Sequence, residues 1–308
     1  MQPRNAVSKT GFRMPVVLPI FILLFLLVLL AYGFWRRRYG HLAEGFPVIV
    51  AYHKVDNRFE FGITRTTVGQ FRRQMEYLSR SGCSVIHPDQ VLQTEGVADP
   101  VLLTFDDGYA AFYANAFPVL REYGFPALVF LITDYIGQWN AWDANLGWIR
   151  FRHLDWEKIR EMNRYGIEFG SHTCSHRDLT RLSKTEIRHE LADSKAVIEE
   201  HLGRPVKYLS YPFGSYDERV IAIAKELDYK AAFSIYPKHS NKVIEPFALQ
   251  RTCSYLHDTQ LSYAIKLGQR SPRLYWTQDL LGRIINWFSY GTVFYTDLKD
   301  RMRQKKRT

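Results

Sequence analysis

Short apolar runs recur along the chain at Val48–Tyr52, Ser84–His87, Val101–Phe105, Ala127–Ile132, Ile167–Ser171, Tyr208–Tyr211, Ala231–Ile235 and Phe247–Arg251. Between them the apolar positions switch to helical spacing. Phe71, Met75 and Leu78 stand at i, i+4 and i+7, and Ile187, Leu191, Val197 and Ile198 mark a longer helix over Lys184–His201. Strands interleaved with helices pair in parallel. Eight such runs predict an α/β fold, an irregular (β/α) TIM-like barrel more than an open sheet. In barrels of this kind the chemistry gathers at the C-terminal ends of the strands.

Ahead of the barrel the pattern changes. From Met14 to Trp35 the chain carries no charge, and about 20 apolar residues suffice to cross the hydrocarbon core. A cleaved leader has a shorter apolar stretch and a small-x-small site. Here Arg36-Arg37-Arg38 follows at once, so an N-terminal transmembrane helix that stays in place is expected. The organisation is then a basic N-terminal segment (1–13), a transmembrane anchor (14–35), a linker (36–46), a barrel domain (47–257) and a C-terminal segment (258–308). In that last segment Thr259–Leu267 suits a final barrel helix. Leu280–Tyr295, with the basic stretch Arg301–Arg307 behind it, suits either an interfacial helix or one packed on the barrel.

Composition adds a partner. The net charge of +10 favours anions, and much of the excess lies at Arg36–Arg38 and Arg301–Arg307. Charge flanking apolar segments meets membrane lipid more readily than nucleic acid, for which no motif is present. Arg4, Lys9 and Arg13 before the apolar span balance the three arginines after it, so the positive-inside rule gives no orientation. The expectation carried forward is a single-pass protein of a bacterial-type inner (cytoplasmic) membrane, its barrel on the outer face. Nothing in the sequence specifies an oligomer. Cys83, Cys174 and Cys253 lie far apart with no C-x-x-C pair, which excludes a disulfide framework and a cysteine-built zinc site.

Two strand ends carry candidate chemistry. Val101–Phe105 runs into Asp106-Asp107-Gly108-Tyr109; adjacent buried carboxylates repel, and need a cation or a shared proton. Ile167–Ser171 runs into His172-Thr173-Cys174-Ser175-His176. Histidines at i, i+4 share one helical face and can share one metal. One carboxylate with two imidazoles leaves coordination positions open, as catalytic metals require, and the second aspartate remains available as a base. A third end, Tyr211-Pro212-Phe213-Gly214, brings backbone close, where an N–H could meet an oxyanion. The loop Gln138-Trp139-Asn140-Ala141-Trp142-Asp143 mixes aromatic and hydrogen-bonding groups, as sugar-binding surfaces do.

Together these residues resemble the polysaccharide deacetylases, the family-four carbohydrate esterases with a NodB-type domain. The likeness runs from about Val48 to Cys253; Thr104–Tyr109 matches the first family motif in full and Ser171–His176 fits the second. The resemblance implies that Asp107, His172 and His176 hold the metal, Zn2+ or another divalent transition metal, and that Asp106 is the base. It implies an oxyanion donor at the Phe213 N–H, with Tyr109, Tyr211, Trp142 and Asp143 lining the substrate. Val48–His53 is similar to the first strand of poly-N-acetylglucosamine deacetylases, which implies His53 as the general acid. His87 is read as structural and the remaining histidines as solvated. One departure stands out: Ser210 occupies the place where many members carry the arginine that orients the base. The expected activity is removal of N-acetyl groups from an amino-sugar polysaccharide or a lipid-linked amino sugar. The alternatives are a silent glycan-binding scaffold and an O-acetyl esterase.

Overall fold

The computed structural model describes residue 33 and residues 46–60, 62–141, 149–235, 245–268, 274 and 277–286. Seven parallel strands close a ring: β1 (Val48–Tyr52), β5 (Pro100–Phe105), β6 (Ala127–Leu131), β7 (Ile167–Ser171), β8 (Tyr208–Ser210), β9 (Ala231–Ile235) and β10 (Leu249–Cys253). Two-residue pieces complete the inventory: β2 (Lys54–Val55) pairs with β3 (Arg65–Thr66), and β4 (Ser84–Val85) is appended to β5. All eight expected strands therefore form, and the barrel closes with one fewer. The reason lies in the register. One edge of β5 pairs with β1 along Val48↔Val101 to Tyr52↔Phe105; on the other edge β6 takes Thr104 and Phe105, which leaves β4 only the start of β5 at Ser84↔Pro100 and Val85↔Val101.

The seven ring strands are buried along their whole length because both faces are covered. Alternate residues Ile49, Leu102, Leu128, Phe130, Phe233 and Leu249 fill the ring's interior. Their neighbours Val50, Leu103, Val129 and Phe169 pack outward against the helices. The outer layer comprises α1 (Val68–Arg80), α2 (Phe117–Tyr123), α3 (Trp156–Arg164), α4 (Lys184–Leu202), α5 (Glu218–Glu226) and α6 (Gln260–Lys266). Phe71, Met75 and Leu78 form the buried stripe of α1, which starts at a capping box between Thr67 and Gln70. Helix α4 has the same device in Ser183 and Glu186 and ends on left-handed Gly203.

A further helix, residues 277–286, lies against the barrel. Ile285 packs on Ala51, Ile235, Cys253 and Tyr255, and buried Asp279 accepts from Gln250 Nε2 at 3.0 Å. Of the two readings of this segment, packing on the barrel describes these ten residues, while Leu281 and Ile284 remain exposed on the outer side. Among the described residues no helix is long and apolar enough to cross a membrane. The expected anchor at 14–35 lies outside them apart from Gly33.

Candidate metal centre

The carboxyl ends of β5, β7, β8 and β10 converge on one buried cluster. Asp107 leaves β5 in a left-handed conformation (φ +67°), which turns its carboxylate across toward β7. Its Oδ1 lies 3.5 Å from His172 Nε2 and 3.6 Å from His176 Nε2, and one ligand atom from each residue falls within 4.8 Å of the others. His172 Nδ1 bonds the Ser210 carbonyl at 2.8 Å, which fixes the tautomer that presents Nε2 to Asp107 as a lone-pair donor. Burial drives the basicity of both imidazoles down, opposed in each by the Asp106 charge. Two neutral imidazoles and a carboxylate converging in a dry site fit a divalent transition metal.

The two histidines meet by a different route from the helical face expected of them. Residues 172–178 form no helix. Thr173 (φ +69°) and His176 (φ +62°) are left-handed, and the loop doubles back so that the rings stand 4.8 Å apart at 75°. With Asp107 and Phe213 (φ +60°), four of the six left-handed non-glycine residues among the described residues gather here. Backbone strain concentrates where surrounding structure must hold a site in shape.

Asp106 is gripped from β10. The guanidinium of Arg251, fully buried, donates to both carboxylate oxygens at 2.7 and 2.8 Å and to Ser210 Oγ at 2.8 Å. Burial alone would raise the Asp106 pKa; the Arg251 charge, then that of His172, outweigh it and hold the carboxyl well below the usual range. His53, partly buried at the end of β1, is pushed down to about 4 by burial, against the pull of Asp106. Its Nδ1 has no hydrogen-bond partner among the described residues.

Residues 94–232 match the family model described as polysaccharide deacetylase. YxkH of Bacillus subtilis, itself named only as a candidate polysaccharide deacetylase, is 28% identical over 208 residues, 66% of this chain and 69% of its own. The chain thus carries a polysaccharide deacetylase domain over residues 94–232. The poly-β-1,6-N-acetyl-D-glucosamine N-deacetylase of Staphylococcus aureus is 31% identical over 153 residues. That alignment takes in 45% of this chain and 48% of the relative, so about half of that enzyme is matched. The solved structure of IcaB from Ammonifex degensii superposes with a TM-score of 0.62 at 24% identity, over 74% of this chain and 98% of its own. At that identity the likeness speaks for the shared barrel.

Within this domain the departure at Ser210 has its explanation. The serine hydroxyl accepts from Arg251, so the guanidinium reaches the base from β10 and β8 needs only a small acceptor. Sequence reasoning missed Arg251 because it placed the last strand at Phe247–Arg251; the strand runs Leu249–Cys253. The available signal was period-two alternation: with Leu249 pointing inward, Arg251 points inward as well.

His153 corrects the expectation that the remaining histidines are solvated. It is 2% exposed, its Nδ1 bonds the Asp107 carbonyl at 2.7 Å, and burial pushes its pKa down to about 4. It braces the strained ligand from behind. Its ring stacks on Tyr109 at 4.9 Å, which leaves Tyr109 2% exposed. Tyr211, expected beside the substrate, points into the core: it is fully buried, donates to the Phe247 carbonyl at 3.0 Å and stacks on Tyr216. Phe213 does reach the centre, with its ring 4.8 Å from that of His176. Of the aromatic loop, Trp139 is half-exposed with the Arg152 guanidinium over its ring; Trp142 and Asp143 lie outside the described residues. His87 caps a short 3-10 turn through Asp89 N, as a structural residue would.

The turn that carries Phe213 tolerates only glycine after it. Gly214 has φ +69°, and a Cβ there would stand 2.7 Å from Ile235 N and 2.9 Å from Ile235 O, both backbone. Gly214→Ala is therefore expected to cost about 2–4 kcal/mol, from the left-handed backbone and overpacking together. Chemical denaturation of the metal-free protein measures it; a change under ~0.5 kcal/mol, the range of neutral surface substitutions, would show that the turn is free to shift.

Proposed function

We propose that this protein hydrolyses the N-acetyl amide of an amino-sugar glycan, in polymer or lipid-linked form, with a divalent metal at Asp107, His172 and His176, zinc the foremost candidate. The observation that carries the reading is the pairing of a ligand trio with a separate carboxylate, Asp106, held ionised by Arg251. A metal in this trio would supply Lewis-acid chemistry, polarising the acyl carbonyl and making water a stronger nucleophile.

The chain's own groups account for the rest. Asp106, fixed by two guanidinium bonds, accepts the proton of the attacking water. Arg251 prevents the carboxylate from turning toward the ligand trio and keeps it a base. The Phe213 N–H, in the left-handed turn beside His176, donates to the oxyanion as it forms. His53 is neutral at rest and stands in the field of Asp106, which favours its protonated form; it carries the proton to the departing nitrogen. The products are acetate and a free amine. The poly-N-acetylglucosamine enzyme among the relatives supports the polymer as substrate, and the long apolar segment at 14–35 supports a membrane-anchored enzyme at a bacterial-type inner membrane, its domain on the outer face.

Acetate release from N-acetylated glucosamine polymers and lipid-linked amino sugars, with and without a chelator, tests the reading. Release that stops with chelator and returns with metal supports it; a folded, metal-loaded protein that releases no acetate from either class would overturn it. His53→Ala offers a sharper check. Loss of a general acid costs about 10²–10⁴-fold on an amide. An activated ester such as 4-nitrophenyl acetate, whose leaving group needs no proton, should lose far less. Equal losses on both would remove His53 from the acid role.

A further inference from the structure

The loop between the two histidines has no secondary structure to hold it, yet His172 and His176 must arrive together. The group that grips it comes from α4. Glu190 is 3% exposed and sits on the buried face of the helix with Ile187, Leu191 and Ile198. Its Oε2 accepts from two successive amides, Cys174 N and Ser175 N, both at 2.9 Å, and its Oε1 takes the Ser175 hydroxyl. Successive N–H groups converging on one anion form a backbone nest. Here the anion is supplied by the protein itself. One turn further along α4, Ser194 Oγ pairs with Ser171 Oγ at 2.7 Å, which in turn accepts from Thr173 N at 3.1 Å. Side chains four residues apart on one helix thus hold the loop at both of its inner bends.

We propose that Glu190 is a positioning residue for the metal centre, folding the His172–His176 loop into its ligating shape by binding the Cys174 and Ser175 amides. This rests on the reading of Asp107, His172 and His176 as the ligand set. The physical case is the strain on either side of the grip. Thr173 and His176 are both left-handed, a conformation L-residues avoid. A loop released from Glu190 relaxes by rotating these two residues, and that rotation swings His176 Nε2 away from Asp107. A buried carboxylate is also an expensive way to fill a helix face unless its acceptors are all used. Leucine would serve packing as well, but could not hold two amides.

The test measures metal binding directly, on the full chain in detergent, stripped of metal and titrated with Zn2+ against a chromophoric chelator. Glu190→Gln keeps the shape and leaves a carbonyl for the two amides, but removes the charge that strengthens both bonds, and is expected to weaken Zn2+ binding about 10-fold, the low end for loss of a group supporting a ligand. Glu199→Gln, on the same helix and bonded to Val206 N away from the centre, should leave affinity unchanged and reports general damage to α4. The Co2+-loaded protein should show a shifted d–d spectrum for Glu190→Gln alone. Zn2+ affinity within twofold of wild type and an unchanged Co2+ spectrum would overturn the proposal, whatever happens to the melting temperature. Should Glu190→Gln fail to fold, Glu190→Asp carries the test, since a carboxylate one methylene shorter cannot reach both amides: severalfold weaker Zn2+ binding supports the proposal and no change overturns it. Asp107→Ala separates the two readings. If it retains wild-type Zn2+ affinity, the ligand set itself is wrong and this inference falls with it; if it loses Zn2+ while Glu190→Gln does not, only the role of Glu190 is refuted.

Discussion

Replacing Arg251 with methionine will cost the metal-free protein about 3–5 kcal/mol of stability and take most of the deacetylase activity with it. The guanidinium is fully buried, and its partners are the two oxygens of Asp106, the Ser210 hydroxyl and, less closely, Thr104 Oγ1 at 3.3 Å. Methionine fills much of the volume between Phe130 and Phe233 but leaves the Asp106 carboxylate buried without its cation. Breaking a buried pair from one side is strongly destabilising for that reason. The carboxyl would then protonate far more readily, because burial, the largest influence on it, already pushes upward. A protonated Asp106 cannot accept the water's proton, so kcat should fall roughly 10²–10⁴-fold. Arg251→Lys should recover part of the stability and less of the activity, since a single ammonium cannot hold both oxygens. Denaturation curves and initial rates for the two variants decide the matter. An Arg251→Met protein with wild-type stability and rate would mean that Asp106 is neither paired nor the base.

The second large effect is expected at Asp107, and its sign depends on metal. Asp107→Asn removes the one anionic member of the proposed ligand set, whose others are His172 and His176. Lewis-acid assistance is worth several kcal/mol, so acetate release should drop by about a thousandfold or more. Stability should move the other way in the absence of metal. Asp106 and Asp107 are adjacent, buried carboxylates, and relieving their repulsion favours the fold. The metal-free variant should therefore melt at or above the metal-free wild type. On adding Zn2+ the wild type should gain, because a ligand bound only to the folded state stabilises it by mass action, and the variant should not respond. Equal Zn2+-induced shifts in the two proteins would place the metal elsewhere.

Several site features are legible in the amino-acid sequence. Asp106, Asp107, His172 and His176 stand directly after apolar strands of a repeating βα pattern, and strand ends on one side of a barrel must meet. His53 follows the same logic. What misleads is local geometry. The i, i+4 spacing of the histidines suggests a helix, and the chain instead uses two left-handed residues and an external carboxylate to bring them together. Tyr211 reads as a site residue because it precedes Pro212 and Phe213, yet one step along a strand reverses the direction of the side chain. Trp142 and Asp143 fall outside the described residues.

The sequence by itself determined the strand set, the parallel barrel class and the candidate trio of Asp107, His172 and His176, because each is written in local periodicity or in motifs a few residues long. Only the tertiary structure decided that seven strands close the ring, that Arg251 orients the base across 145 residues of chain, that His153 braces Asp107, and that Glu190 grips the histidine loop. These are contacts between elements far apart in sequence. Their partners are chosen by register and side-chain direction, which a single chain's local pattern leaves open until the sheet closes.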